Sequence, residues 1–175
     1  MTTTTPLQWS EALSLDMPLM DTTHQEFVDL LAQVVQSPDD TLLGLWAALI
    51  RHTDDHFGRE DQWMQDTGFA AGNCHATQHK IILEVMREGG KRALDGDLAV
   101  VRQMAYELGL WFPQHAQSMD ASLALHLRSA GYDPVTGAIS QPDVVPAEKI
   151  HGCGGACGDT QATAAQADAA PLHVP

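Results

Sequence analysis

The amino-acid sequence predicts an all-α protein: an up-down-up-down four-helix bundle with an N-terminal loop and a disordered C-terminal tail. Three observations predict it. Four long segments carry apolar residues at the three- and four-residue spacing of amphipathic helices, and the connections between them are short and rich in turn formers. Each segment also contributes histidines or carboxylates at a level where inward-pointing side chains could meet. At 175 residues the chain is long enough for one domain with its own core.

Residues 1 to 20 read as a loop packing on the bundle. Pro6 and Pro18 prevent a continuous helix, and Trp9, Leu13 and Leu15 are available as a cover. The first helix is expected from about Met20 to Gln36, with Phe27, Leu30, Leu31, Val34 and Val35 on its apolar stripe and His24 one turn before Phe27. Ser37-Pro-Asp-Asp40 makes a turn, with Asp40 expected to cap a second helix from Thr41 to Asp66. Leu42, Leu45, Trp46, Leu49, His56, Phe57, Glu60, Trp63 and Met64 form its buried stripe, and His52, one turn before His56, reads as a packing residue.

Thr67-Gly68 and Gly72-Asn73 supply the next turn, and Asn73 is a candidate cap for a third helix to Leu94 that Gly89-Gly90 weakens near its end. After Asp95-Gly-Asp97, a fourth helix is expected from Leu98 to Ser129, interrupted by Pro113 and closed by Gly131. The bundle thus occupies residues 21–131. Residues 132–175, rich in Pro, Gly, Ala, Gln and Thr, read as disordered tail.

Nine Lys plus Arg against twenty-three Asp plus Glu give a formal net charge of −14, which repels phosphate backbones and anionic lipid surfaces. Nucleic-acid and membrane partners are therefore not expected. The N-terminus has neither a basic start nor an apolar run, and the expectation is a cytoplasmic protein. The three cysteines are too few and too badly placed for a disulfide framework. Within the tail, His151, Cys153 and Cys157 form a candidate soft-metal or redox group, set against the plainer reading of a floppy segment with oxidisable thiols.

The chemistry concentrates between His56 and His79. His56 and Glu60 are four residues apart, as are His75 and His79, so each pair leaves one helical face. Adding His24 from the first helix and His115 with Asp120 from the fourth gives five imidazoles and two carboxylates converging inside one bundle. Buried together without a cation, they would carry unpaired charge and unsatisfied nitrogens at several kcal/mol each.

Seven ligands are too many for one ion and suit two. Two octahedral ions offer twelve positions; five histidines, two bridging carboxylates and one shared oxygen fill eleven, leaving one open for a small molecule such as dioxygen. One spacing is awkward. Five residues separate His115 from Asp120, about 140° on an ideal helix, and the bend at Pro113 is the device the sequence offers for closing that gap.

The order H…H-F-x-x-E…H-x-x-x-H…H-x-x-x-x-D, preceded by Trp9 and Met20-Asp-Thr-Thr-His24, resembles hemerythrin, particularly the bacterial hemerythrins, over residues 9 to about 130. The resemblance implies two iron ions, one held by His75, His79 and His115, the other by His24 and His56 with the open position, bridged by Glu60 and Asp120. Iron itself is part of that implication, because imidazole also suits zinc and copper.

The function implied is reversible dioxygen binding for carriage, storage or sensing. The alternative is a di-iron peroxidase or an enzyme handling nitric oxide or peroxide, served by an unidentified redox partner. An oxygenase is disfavoured, because the carboxylate-rich bundles use Glu-x-x-His motifs on their helices, and the four expected helices here carry none, the one such run, Glu148-Lys-Ile-His151, falling in the tail. By position, Phe57, Trp111 and Phe112 would wall the open iron, and Ala116, where relatives often carry Ile, would leave a gap. The chain departs from many bacterial relatives at His52, where they have Tyr, and at Asp16, where they have Gly.

Overall fold

Four antiparallel helices form the bundle expected from the sequence, in a computed structural model that describes residues 6–69 and 74–145. They are α1 (Pro18–Gln36), α2 (Asp39–Asp66), α3 (Cys74–Leu94) and α4 (Leu98–His115), the last continuing through a π-helical turn, Ala116–Asp120, into α5 (Ala121–Ala130). Each helix packs beside its neighbour in sequence, and α4 closes the ring against α1. No helix among the described residues is long and apolar enough to cross a membrane.

Helix α1 begins at Pro18 rather than near Met20, because proline's fixed φ suits the first helical position, where its missing N–H costs nothing. The loop before it is closed by Asp21, whose carboxylate accepts from Ser14 Oγ at 2.8 Å and from the backbone N–H groups of Leu15 and Met17 at 2.8 and 3.3 Å. At the tip of that loop Asp16 has φ 55, the left-handed region that favours glycine. Leu7 and Trp9 pack on the core beside them, Leu13 is buried, and Arg128 donates to the Leu15 carbonyl.

Asp40 does not cap α2. The helix starts at Asp39 with Pro38 in the cap position and no side-chain cap, and the turn is held instead from α4: Arg102 donates to Asp39 at 2.5 Å and to the Ser37 carbonyl at 3.0 Å. The expected cap of α3, Asn73, lies outside the described residues. Gly89 and Gly90 do not end α3, which runs to Leu94. They let it pass close to its neighbours, for a Cβ at Gly89 would meet Met104 Sδ at 2.2 Å, and Gly90 faces the Trp46 ring. Trp46 in turn donates its indole N–H to the Met86 carbonyl at 3.1 Å, locking α2 to α3.

The chain does not become a structureless tail at residue 132. Gly131 takes φ 58 and ends α5, the Tyr132 N–H returns to the Leu127 carbonyl at 2.9 Å, and Tyr132 pairs with Ile139 across a tight loop. Tyr132 is buried, and its hydroxyl donates to Asp66 Oδ2 at 2.7 Å at the end of α2. Local hydrogen bonding and two apolar anchors thus outweigh a composition that reads as linker. Of the remainder, His151, Cys153 and Cys157 lie outside the described residues.

The interior is layered along the bundle axis. One apolar cluster, including Phe27, Leu31, Trp46, Leu49, Met86, Val101, Leu108 and Phe112, fills one end; another, with Met20, Trp63, Met64, Leu123, Leu127 and Tyr132, fills the other. Between them in sequence on α1, α2 and the α4–α5 helix, and in the first turns of α3, stand the buried polar residues. That middle layer is the candidate site.

Candidate metal centre

Each helix delivers its ligands from a stripe that is otherwise apolar. His24 sits on α1 between Met20 and Phe27, and His56 with Glu60 sits on α2 between Leu49 and Trp63. His75 and His79 occupy the first turns of α3, while His115 ends α4 and Asp120 ends the π turn. All seven are at most 2% exposed.

The π turn is the device that the sequence did not disclose. Its hydrogen bond runs from the Ala121 N–H to the Ala116 carbonyl, five residues back, so residues five apart fall nearly one above the other. His115 Nε2 and Asp120 Oδ1 are consequently 3.1 Å apart. The register shift lies three residues after Pro113, in the turn that follows it.

The two carboxylates each divide their oxygens between two sets of histidines. Glu60 Oε1 lies 2.8 Å from His56 Nε2 and 3.6 Å from His24 Nε2, whereas its Oε2 lies 3.4 and 3.5 Å from His75 and His79 Nε2. Asp120 Oδ2 lies 3.2 Å from His24 Nε2, and its Oδ1 lies 2.9 Å from His75 Nε2. Two groups of potential ligands result: Glu60, His75, His79, His115 and Asp120; and His24, His56, Glu60 and Asp120, each with its ligand atoms within 4.8 Å of one another.

Whether these atoms fit a metal is tested by what they fail to satisfy among themselves. Both ring nitrogens of His24 and His75, Nδ1 of His56, Oε2 of Glu60 and both oxygens of Asp120 have no hydrogen-bond partner among the described residues. His75 Nε2 is close to Asp120 but not aligned for a hydrogen bond, as expected of atoms arranged to share an ion. His79 and His115 bring their Nε2 atoms to 3.2 Å. Two nitrogens bound at right angles to one ion, each about 2.1 Å from it, would stand about 3 Å apart. The donor set fits.

Electrostatics point the same way. Burial lowers the pKa of His24 and His75, but the carboxylates of Asp120 and Glu60 outweigh it and push them up to about 9 and about 10. Burial, and for Glu60 the charge on Asp120, would raise the carboxyls; the surrounding imidazoles hold both well below their ordinary range. His79 is lowered, chiefly by burial. In effect two carboxylates demand positive charge in a dry layer, and protons on His24 and His75 supply it when nothing else does.

The aromatic residues distribute unevenly. Phe57 lies parallel to His79, ring centroids 3.9 Å apart, and Trp111 stacks on His115 at 4.4 Å. Phe112 stands edge-on to His24 at 5.2 Å and against Phe27 at 4.6 Å. Phe57 and Trp111 therefore flank His79 and His115, with Phe57 also 5.3 Å from His56, while Phe112 flanks His24 and is itself backed by Phe27. Ala116 is fully buried in the apolar cluster.

A family model described as the hemerythrin HHE cation binding domain matches residues 16–125. The chain belongs to the hemerythrin family. Within that family, a bacteriohemerythrin from Ralstonia nicotianae is 37% identical over 127 residues, covering 73% of this chain and 93% of that protein.

Membership of the hemerythrin family draws attention to residues just behind the cluster that the sequence reading passed over. His79 Nδ1 lies 2.9 Å from Asp61 Oδ1, and His115 Nδ1 lies 3.3 Å from Gln78 Oε1. Both partners adjoin a ligand candidate in sequence, Glu60 and His79, and the need of a ligating imidazole for an acceptor at its outer nitrogen was the signal that could have found them. His52 supports α1, its Nε2 3.1 Å from the Thr23 carbonyl beside His24. His126 bonds the Thr67 carbonyl at 3.0 Å, away from the ligand groups.

Proposed function

We propose that the cluster holds two iron ions bridged by Glu60 and Asp120, and that the protein binds dioxygen reversibly. The observation that carries this reading is the division of each carboxylate's two oxygens between the two histidine sets. Three histidines and two carboxylate oxygens on one side, and two histidines and two carboxylate oxygens on the other, leave the His24–His56 side one ligand poorer. When bound there, ferrous iron supplies the electrons that dioxygen binding needs and a site where it can attach.

The chain's own residues do the rest. Glu60 and Asp120 supply negative charge without access to solvent. Phe112 presents an apolar ring beside His24, with Phe27 packed behind it, which keeps water from that side and disfavours proton delivery. Ferrous-loaded protein should change its visible spectrum when dioxygen is admitted and recover when it is removed under vacuum. Bound iron with no response to dioxygen, or immediate irreversible oxidation with multiple turnovers of added peroxide, would reject carriage and favour an enzyme.

A further inference from the structure

The five candidate metal-binding histidines differ at the nitrogen that faces away from the cluster. His24, His56 and His75 have no hydrogen-bond partner for Nδ1 among the described residues, and His115 has the neutral amide oxygen of Gln78 at 3.3 Å. His79 alone of the five places Nδ1 against a carboxylate, Asp61 Oδ1 at 2.9 Å. Asp61 follows Glu60 on α2, about 100° further round the helix, so it leaves the inward stripe and meets α3 at the edge of the bundle. Its side chain is 35% exposed, so the carboxylate keeps part of its hydration.

The His79 ring is held from two directions. Phe57 lies parallel to its face, with an interplanar angle of 5°, and Asp61 accepts the Nδ1 proton at its edge. With the proton on Nδ1, the Nε2 lone pair is turned toward Glu60 Oε2 and His115 Nε2, at 3.5 and 3.2 Å. An anionic acceptor polarises the N–H bond and makes the opposite nitrogen a stronger donor.

We infer that Asp61 is a positioning residue that fixes the tautomer of His79 and strengthens it as a ligand, so that the cation held by His75, His79 and His115 is retained longer than the one held by His24 and His56. The inference rests on the two-metal reading. Asp61 touches the back of one ligand and acts through it.

The test loads the full chain, its Asp61→Asn and Asp61→Ala variants, and an Asp54→Ala control with ferrous iron in the absence of air. Asp54 pairs with Arg87 away from the cluster. Excess metal is removed, EDTA is added, and iron per chain is followed with time, alongside the melting temperature of each metal-free protein. The wild type should lose two irons in two phases. Asp61→Ala should accelerate the slower phase by about 10- to 100-fold and leave the faster one unchanged. Asp61→Asn, whose amide oxygen still accepts the Nδ1 proton, should fall between, with metal-free melting temperatures equal throughout and Asp54→Ala behaving as wild type.

A slow phase in Asp61→Ala within about twofold of wild type would overturn the inference, since loss of such a partner ordinarily costs far more. So would equal acceleration of both phases together with a lower metal-free melting temperature, which marks a general structural role. A wild-type protein that takes up fewer than two irons would instead overturn the two-metal reading, and the inference with it.

Discussion

Around His79 and His115 the protein places flat aromatic rings and hydrogen-bond acceptors, Phe57 and Trp111 on the faces, Asp61 and Gln78 at the outer nitrogens. Beside His24 it places Phe112, backed by Phe27, and the outer nitrogens of His24 and His56 meet no acceptor among the described residues. Glu60 and Asp120 serve both groups. A ligand braced on its face and its edge has one orientation, whereas a ligand set in an apolar surround with fewer donors leaves coordination incomplete. On the proposed two-metal reading, the contrast teaches that one shared pair of carboxylates can join a position built for retention to one left free for chemistry.

The largest expected effects come from removing ligands. Glu60→Gln takes an anionic bridge from both positions and should reduce iron to well under one per chain after loading and desalting. His56→Ala should keep the three-histidine iron and lose its neighbour, whereas His79→Ala should empty the braced position first. Equal losses in His56→Ala and His79→Ala, measured as iron per chain, would erase the asymmetry.

Proton linkage sharpens the comparison next. In the metal-free protein His24 and His75, with pKa values raised from 6.5 to about 9 and about 10, are protonated at pH 7 and must give up those protons to bind metal. Metal uptake should therefore release protons, one from each group, and affinity should fall as pH falls. The same shifts stabilise the metal-free fold in full below the unfolded value of 6.5, and that stabilisation is lost as pH rises through about 9 to 10. Calorimetry in buffers of different ionisation enthalpy counts the protons, and a count of zero would contradict the assignment.

A smaller effect is expected from the π turn. Deleting exposed Gln117 should convert it to an ordinary helix in which His115 and Asp120 are four residues apart, again on one face. Iron per chain should stay near the wild-type value, at the cost of the Gln117 bond to the Ala12 carbonyl. Loss of both irons would show that the π turn does more than align the pair. Smallest of all, Asp16→Gly should stabilise the loop before α1 by under about 1 kcal/mol in urea unfolding, by relieving a positive φ.

What the sequence made legible, and what it hid, follows from the range of the signals. His24, His56, Glu60, His75 and His79 stand at spacings that one α-helical face explains, so periodicity alone groups them. Asp120 was out of register by that rule because the rule assumes an α-helix, and a π turn leaves no propensity mark in Ala116-Gln-Ser-Met-Asp120. Asp61 reads as one more acid on an acidic surface until the fold brings α3 beside it. Residues 132–145 lack a core-forming period, and their order comes from a helix cap and from Tyr132 reaching Asp66, a contact 66 residues away in sequence. Asp40 had the right chemistry for a cap, but α2 begins one residue before it, and Arg102, far along the chain, secures the turn.

The central claim is that Glu60 and Asp120 join two metal positions in one buried layer. Crystals of ferrous-loaded protein, measured at wavelengths on both sides of the iron absorption edge, test it most directly. The account predicts two anomalous peaks per chain about 3.5 to 4 Å apart, one nearest His75, His79 and His115 and the other nearest His24 and His56, with a Glu60 and an Asp120 oxygen directed at each. A single peak equidistant from all five histidines, or a second peak beyond the reach of Glu60 and Asp120, would contradict it.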